Sequence, residues 1–72
     1  MRTPTQGAVY EDDVTGNQMV CVESPDTFGV PTHKAENMTI EFELVEDGEW
    51  FSIPVDNFGR NYSKVADSTK DL

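Results

Sequence analysis

Residues 38–54 read Met38-Thr39-Ile40-Glu41-Phe42-Glu43-Leu44-Val45-Glu46-Asp47-Gly48-Glu49-Trp50-Phe51-Ser52-Ile53-Pro54, and their pattern decides the fold. Met38, Ile40, Phe42 and Leu44 fall on one side of an extended chain, and Thr39, Glu41 and Glu43 on the other. Successive strand side chains point to opposite faces, so this period of two predicts a strand with one face in a core and one in water. Asp47-Gly48 follows, a dipeptide suited to tight hairpins because both central positions need positive φ. Glu49-Trp50-Phe51-Ser52-Ile53 is then the returning strand, stopped at Pro54, which has no N–H to give a ladder.

Working outward, a second hairpin is expected upstream. Ala8-Val9-Tyr10-Glu11 forms one arm and Gln18-Met19-Val20-Cys21-Val22-Glu23 the other, with Gly16-Asn17 in the turn. Val20 and Val22 are expected to face the core, leaving Met19 and Cys21 on the opposite side. Residues 24–37 carry Pro25, Gly29 and Pro31 without a period and read as a long loop, with Phe28 or Val30 tucked beneath it. After Pro54, residues 55–59 read as one tight turn with Phe58 pointing inward, and residues 61–65 as a last short strand. No stretch has the length and period of a helix. Strands are therefore expected near 8–12, 18–23, 38–45, 49–54 and 61–65, within one domain over residues 7–66. The polar ends, residues 1–6 and 67–72, read as disordered. The fold class is all-β and mainly antiparallel: a small five-stranded, strongly bent sheet, or an SH3-like barrel in which closure removes the exposed edges.

Gly7-x-Val9-Tyr10, Gly16-Asn17-x-Met19-Val20 and Trp50-x-x-x-Pro54-x-x-x-Phe58 together resemble the pattern of a family of small bacterial SH3-like β-barrel domains of unknown function. That pattern runs Gly-x-x-Tyr, Lys-Gly-Asn-x-Tyr-x-Val, then Trp-x-Arg-Pro-x-x-x-Phe. Here Thr15 stands for the Lys, Met19 for the second Tyr and Ile53 for the Arg, and one extra residue separates Trp50 from Pro54. The matching positions are turn and core residues, so the resemblance implies a barrel and no activity.

Seventy-two residues make one domain with a thin core. A chain this short buries only about 60% of the surface its unfolded form exposes. The four Phe, two Tyr and one Trp must therefore supply most of the interior. A single cysteine, Cys21, excludes an internal disulfide and a thiolate zinc site, and without a staple the chain reads as cytoplasmic. No apolar run approaches the roughly 20 residues of a membrane helix, and residues 1–6 lack the apolar stretch of a signal peptide.

Fourteen Asp and Glu against five Lys and Arg give a formal net charge of -9. Bare nucleic acid and anionic membrane are poor partners for such a surface, since binding them recruits Lys and Arg. Two readings of the charge stay open: adaptation to a salt-rich cytoplasm, which screens self-repulsion, or address to a basic protein.

The chemistry-bearing residues form no catalytic set. His33, the only histidine, sits between Thr32 and Lys34 with no partner at triad spacing. Cys21 lies between two valines with no basic neighbour to lower its pKa. Asp12, Asp13, Thr15 and Asn17 place four oxygen-bearing side chains in six residues, the one candidate set for a cation. The spacing departs from a calcium loop, and a polar hairpin loop is the simpler reading. No cofactor motif is present.

The candidate binding residues are Glu41, Glu43, Glu46, Asp47 and Glu49, with Trp50 and Phe51 beside them. Alternate strand positions lie about 6.6 Å apart, a spacing that can imitate the charges of a nucleic-acid backbone. The expected function is a non-enzymatic interaction module, an inhibitor or regulator docking on a basic protein. Regulators that viruses and mobile elements aim at host nucleic-acid enzymes have this size and charge. The alternative is a halophile's small domain whose acidity is environmental.

Overall fold

The alternating stretch forms the hairpin it predicts. β3 (Thr39–Leu44) pairs antiparallel with β4 (Trp50–Pro54), placing Phe42 opposite Phe51 and Ile40 opposite Ile53 on one face. Glu41 opposite Ser52 and Glu43 opposite Trp50 occupy the other face. The structure is a computed structural model that describes residues 2–72. Upstream, β1 (Val9–Asp12) pairs with β2 (Gln18–Glu23), β2 pairs with β3, and β5 (Tyr62–Ala66) returns to β1. The result is one antiparallel sheet in the order β4-β3-β2-β1-β5.

The sheet is not closed into a barrel: β4 and β5 are its two edges and do not pair with each other. The cause is the segment after Pro54. Instead of one tight turn it forms the helix α2 (Val55–Asn61), which carries the chain from one edge to the other. Pro54 holds φ at −63° just before the first turn, Asp56 lies in that turn and Arg60 in the last, each at the end its charge favours. Val55 and Phe58, three apart, are both buried, so this short helix fills the seam with its apolar side. A shorter helix, α1 (Thr32–Ala35), interrupts the long loop and buries Ala35.

Both hairpins turn in the same way. Gly16 donates its N–H to the Asp12 carbonyl at 2.8 Å while the Asp12 N–H donates to Asn17 at 2.9 Å. Gly48 donates to Leu44 at 2.8 Å while Leu44 donates to Glu49 at 2.8 Å. Each glycine, with φ +77° and +74°, ends a four-residue loop in the left-handed conformation that favours glycine. Asp47 does not share the positive φ expected of a two-residue turn; its carboxylate accepts the Glu49 N–H at 2.9 Å instead.

The core lies between the inner face of the sheet and α2, around Phe42, which is fully buried. Its ring lies within 6.3 Å, centroid to centroid, of Phe51, Phe58 and Tyr62 in near-parallel stacking, and Tyr10 meets Phe42 and Phe58 edge-on. Met19 and Cys21 face this core, and Val20 and Val22 take the outer face half-buried, the reverse of the sequence expectation. Alternation sets which residues share a face. It does not say which face is inside, and here the pairing of Cys21 with Phe42 decides it. Leu44 is half-buried at the end of its strand. Phe28 is not tucked away: it is 95% exposed at the tip of a turn closed by the Val30 N–H to Thr27 hydrogen bond, while Val30 is half-buried. At the N-terminus, the Arg2 guanidinium lies 4.9 Å from the Phe58 ring centre and donates to the Tyr62 carbonyl at 2.9 Å, and Pro4 is buried.

Candidate functional site

The seven binding candidates divide over three surfaces. Glu41, Glu43 and Trp50 share the outer face, where Glu43 and Trp50 are cross-strand partners and Trp50 is 61% exposed. Glu41 and Glu43 are half-buried there, not fully exposed, and the Ser52 hydroxyl donates to Glu41 at 2.7 Å. Glu46, Asp47 and Glu49 crown the turn between β3 and β4. Phe51 lies on the inner face against Phe42 at 6.0 Å. The acids therefore do not form one ridge but wrap around the turn end of the sheet.

A further carboxylate joins the outer face. The pairing of β2 with β3 shifts by a residue between Cys21 and Glu23, so Glu23 comes directly opposite Glu41. Simple alternation puts Glu23 on the inner side with Cys21, so only the bulge reveals it. Like charges placed opposite each other are unfavourable in an isolated sheet.

Because β1–β2 and β3–β4 are both hairpins of one antiparallel sheet, their turns lie side by side at the same end. The Val45 N–H donates to the Gln18 carbonyl at 3.1 Å and ties them together. Residues 11–18 hold three acids and residues 43–50 hold four, seven of the chain's fourteen, and neither segment holds a Lys or Arg. A cleft of about 390 Å³ runs between the turns, lined by Gly16, Asn17, Gln18 and residues 44–47.

Next to it, on the inner face, lies a second cavity of about 270 Å³ lined by Asp12, Thr15, Asn17, Met19, Leu44, Glu49, Phe51 and Tyr62. Burial first, and then the charge of Asp12, hold the Tyr62 hydroxyl above its ordinary pKa. Sequence reading named Glu49 and Phe51 for binding and Asp12, Thr15 and Asn17 for a cation. It missed Met19, Leu44 and Tyr62, which reach the cavity from strands distant in sequence.

Three of the four side chains in the candidate cation set accept hydrogen bonds in or beside the turn, each through one oxygen. Asp12 Oδ1 accepts the N–H groups of Val14 at 2.8 Å and Thr15 at 3.3 Å. Asp13 Oδ1 accepts the Ser63 hydroxyl at 2.8 Å, and Thr15 Oγ1 accepts the Asn17 N–H at 3.3 Å. No group of three or more His, Cys, Asp or Glu side chains able to hold a metal ion occurs among the described residues. Cys21 is 1% exposed, and burial pushes its thiol up to about 11, so it is protonated and shielded at neutral pH. His33 lies exposed on α1. No helix among the described residues is long and apolar enough to cross a membrane. Comparison with protein-family models, curated proteins and solved structures found no match to this chain, so the functional reading rests on its own geometry.

Proposed function

We propose that this chain is a non-enzymatic interaction module that docks on a basic protein surface, with its carboxylates standing where a nucleic acid's phosphates would otherwise lie. The observation that carries this reading is the segregation of charge. Half of the acids gather on two adjacent turns and the strand ends that enter them, with no Lys or Arg among them, next to a tryptophan that is 61% exposed. An exposed aromatic ringed by charge is the composition of a binding hot spot, since it supplies buried area where the charges supply orientation. The remaining seven acids lie elsewhere on the chain, which supports a second reading in which acidity answers a salt-rich environment.

The test is direct binding of a defined basic protein or peptide to the wild-type chain and to one carrying Glu41→Lys, Glu43→Lys, Glu46→Lys and Glu49→Lys. Each reversal changes two charges, so four take the formal net charge from -9 to -1. The expected result is loss of binding with the fold retained, and a wild-type association rate that falls steeply with salt. Equal binding by both proteins would overturn the reading. If acidity is environmental, the isolated domain instead gains thermal stability continuously up to molar salt and binds no basic probe.

A further inference from the structure

An open sheet leaves the inward residues at its end uncovered, and here they line a cavity. Every strand contributes one wall residue: Asp12 from β1, Met19 from β2, Leu44 from β3, Phe51 from β4 and Tyr62 from β5. Glu49 adds a second carboxylate from the turn. No residue of α2 lines this cavity, so the helix that fills the seam elsewhere leaves this end open. At about 270 Å³ it falls just below the range of roughly 300–1,000 Å³ typical of sites that enclose a small molecule. It is the size for one side chain.

The wall chemistry is of two kinds. Met19, Leu44 and the rings of Phe51 and Tyr62 make an apolar floor. Asp12 and Glu49 bring two carboxylates to the rim, and neither is in an ion pair: the two salt bridges among the described residues join Arg60 to Asp56 and Lys64 to Asp67. Both turn hydrogen bonds of Asp12 run through one oxygen, Oδ1. A group that matches both kinds of wall has an apolar stem, a flat face and a positive charge.

We propose that this cavity receives the side chain of one arginine from a basic protein segment, with its methylenes on Leu44 and Met19 and its guanidinium between the aromatic rings and the Asp12 and Glu49 carboxylates. The proposal rests on the reading of the chain as a module for a basic partner. Arginine fits better than lysine because its planar head stacks on rings, is weakly hydrated, and offers a fork of N–H donors to more than one carboxylate. A lysine ammonium keeps its water more tightly and has no face to stack. The negative charge of Asp12 already bears on one wall, because Tyr62 is its cross-strand partner and Asp12 contributes, after burial, to that hydroxyl's raised pKa.

The test uses the full chain and short lysine–serine peptides that differ only in a central arginine, lysine or citrulline, followed by calorimetry and by backbone amide shifts. Citrulline keeps the shape of arginine and removes its charge. Arginine is expected to bind about tenfold tighter than citrulline, the ratio for one charged hydrogen-bonded contact. The shifts should centre on Leu44, Phe51 and Tyr62. In the double variant Asp12→Asn and Glu49→Gln that preference should vanish. Asn keeps the side-chain oxygen that accepts the Val14 and Thr15 N–H groups, so the turn survives. Equal binding of the arginine and citrulline peptides, or an arginine preference that persists in the double variant, would overturn the proposal. A third protein, Glu41→Lys with Glu43→Lys, alters only the outer face. If it weakens all three peptides alike while no arginine preference exists, the cavity proposal fails and the basic-partner reading stands. If no peptide binds any of the proteins, both fail.

Discussion

Replacing Phe42 tests whether the core is organised as the geometry implies. Its side chain is fully buried, and its ring stacks on Phe51, Phe58 and Tyr62 at 6.0, 5.9 and 6.3 Å and receives the edge of Tyr10 at 6.2 Å. Truncating a buried Phe to Ala typically costs about 3–5 kcal/mol. Here the upper half of that range is expected, because each ring pair adds about 0.5–1.5 kcal/mol beyond area burial. At roughly 0.05–0.15 kcal/mol per residue, a chain of this length has about 4–11 kcal/mol in total. Phe42→Ala therefore removes between a third and all of the stability. Phe42→Leu keeps an apolar group of nearly the same size and is expected to cost about 1.5 kcal/mol. For a domain this small that lowers Tm by about 6–12 °C. Urea titration followed by far-UV circular dichroism is the assay. Tryptophan emission is a poor reporter, because Trp50 is already 61% exposed in the folded state. A loss below about 1 kcal/mol for Phe42→Ala would show that the aromatic stack is not the centre of the core.

Arg2→Ala removes a guanidinium over Phe58 and its hydrogen bond to Tyr62, and should lower stability by about 1 kcal/mol in the same titration. Gly16→Ala and Gly48→Ala should each cost about 1–2 kcal/mol, the strain of a left-handed L-residue. The two costs should be alike, since a Cβ at Gly48 meets only the flexible end of Glu43 at 3.4 Å, an ordinary contact, and one at Gly16 meets nothing. Cys21 should resist alkylation at pH 8 in the folded chain and react at once in urea, as a thiol whose pKa is raised to about 11 by burial. The same shift sets a pH dependence. The unfolded thiol loses its proton near the ordinary value of 9.0 while the folded one holds it to about 11. The stabilisation is thus complete below pH 9 and is lost between 9 and 11, about 3 kcal/mol in all, and equilibrium unfolding across that range measures it.

The sheet was legible in the sequence wherever a period of two met a turn signal. Residues 38–54 carried both, so β3, β4 and the inward set Ile40, Phe42 and Leu44 follow from pattern alone. β2 shows the limit of that logic. Its parity was readable, but Met19-Val20-Cys21-Val22 is apolar on both sides, and the side that faces in was fixed by pairing across to Phe42. α2 escaped because a helix of seven residues leaves one apolar pair, Val55 and Phe58, too little to show a period. That omission also produced the expectation of a closed barrel, since a tight turn there would have let β4 and β5 approach. For the site, alternation placed Glu41 and Glu43 on the outer face and Glu46, Asp47 and Glu49 at the turn, but it did not show what joins them. Glu23 joined Glu41 through a bulge, and Phe51 went inward while Trp50 stayed out.

The placement of charge has an energetic consequence that links folding to binding. Two turns of the same design, tied by one backbone hydrogen bond, bring seven carboxylates to one end with no cation among them in sequence. Even in water two like charges a few ångströms apart repel by about 1 kcal/mol, and salt at physiological strength screens only beyond about 8 Å. The isolated domain therefore carries a repulsion at that end which mixed charges would relieve. A cationic partner of the kind proposed would relieve it on binding, so its contribution to affinity would include the release of repulsion already present in the free chain. Binding to the folded state then stabilises it by RT ln(1 + [L]/Kd). At a fixed concentration of basic peptide the rise in Tm should be largest at low salt and should shrink as salt both weakens the contact and screens the repulsion. A rise in Tm that does not depend on salt would mean that the peptide engages the apolar surface around Trp50 or Phe28, and that the acids of the turn end take no part.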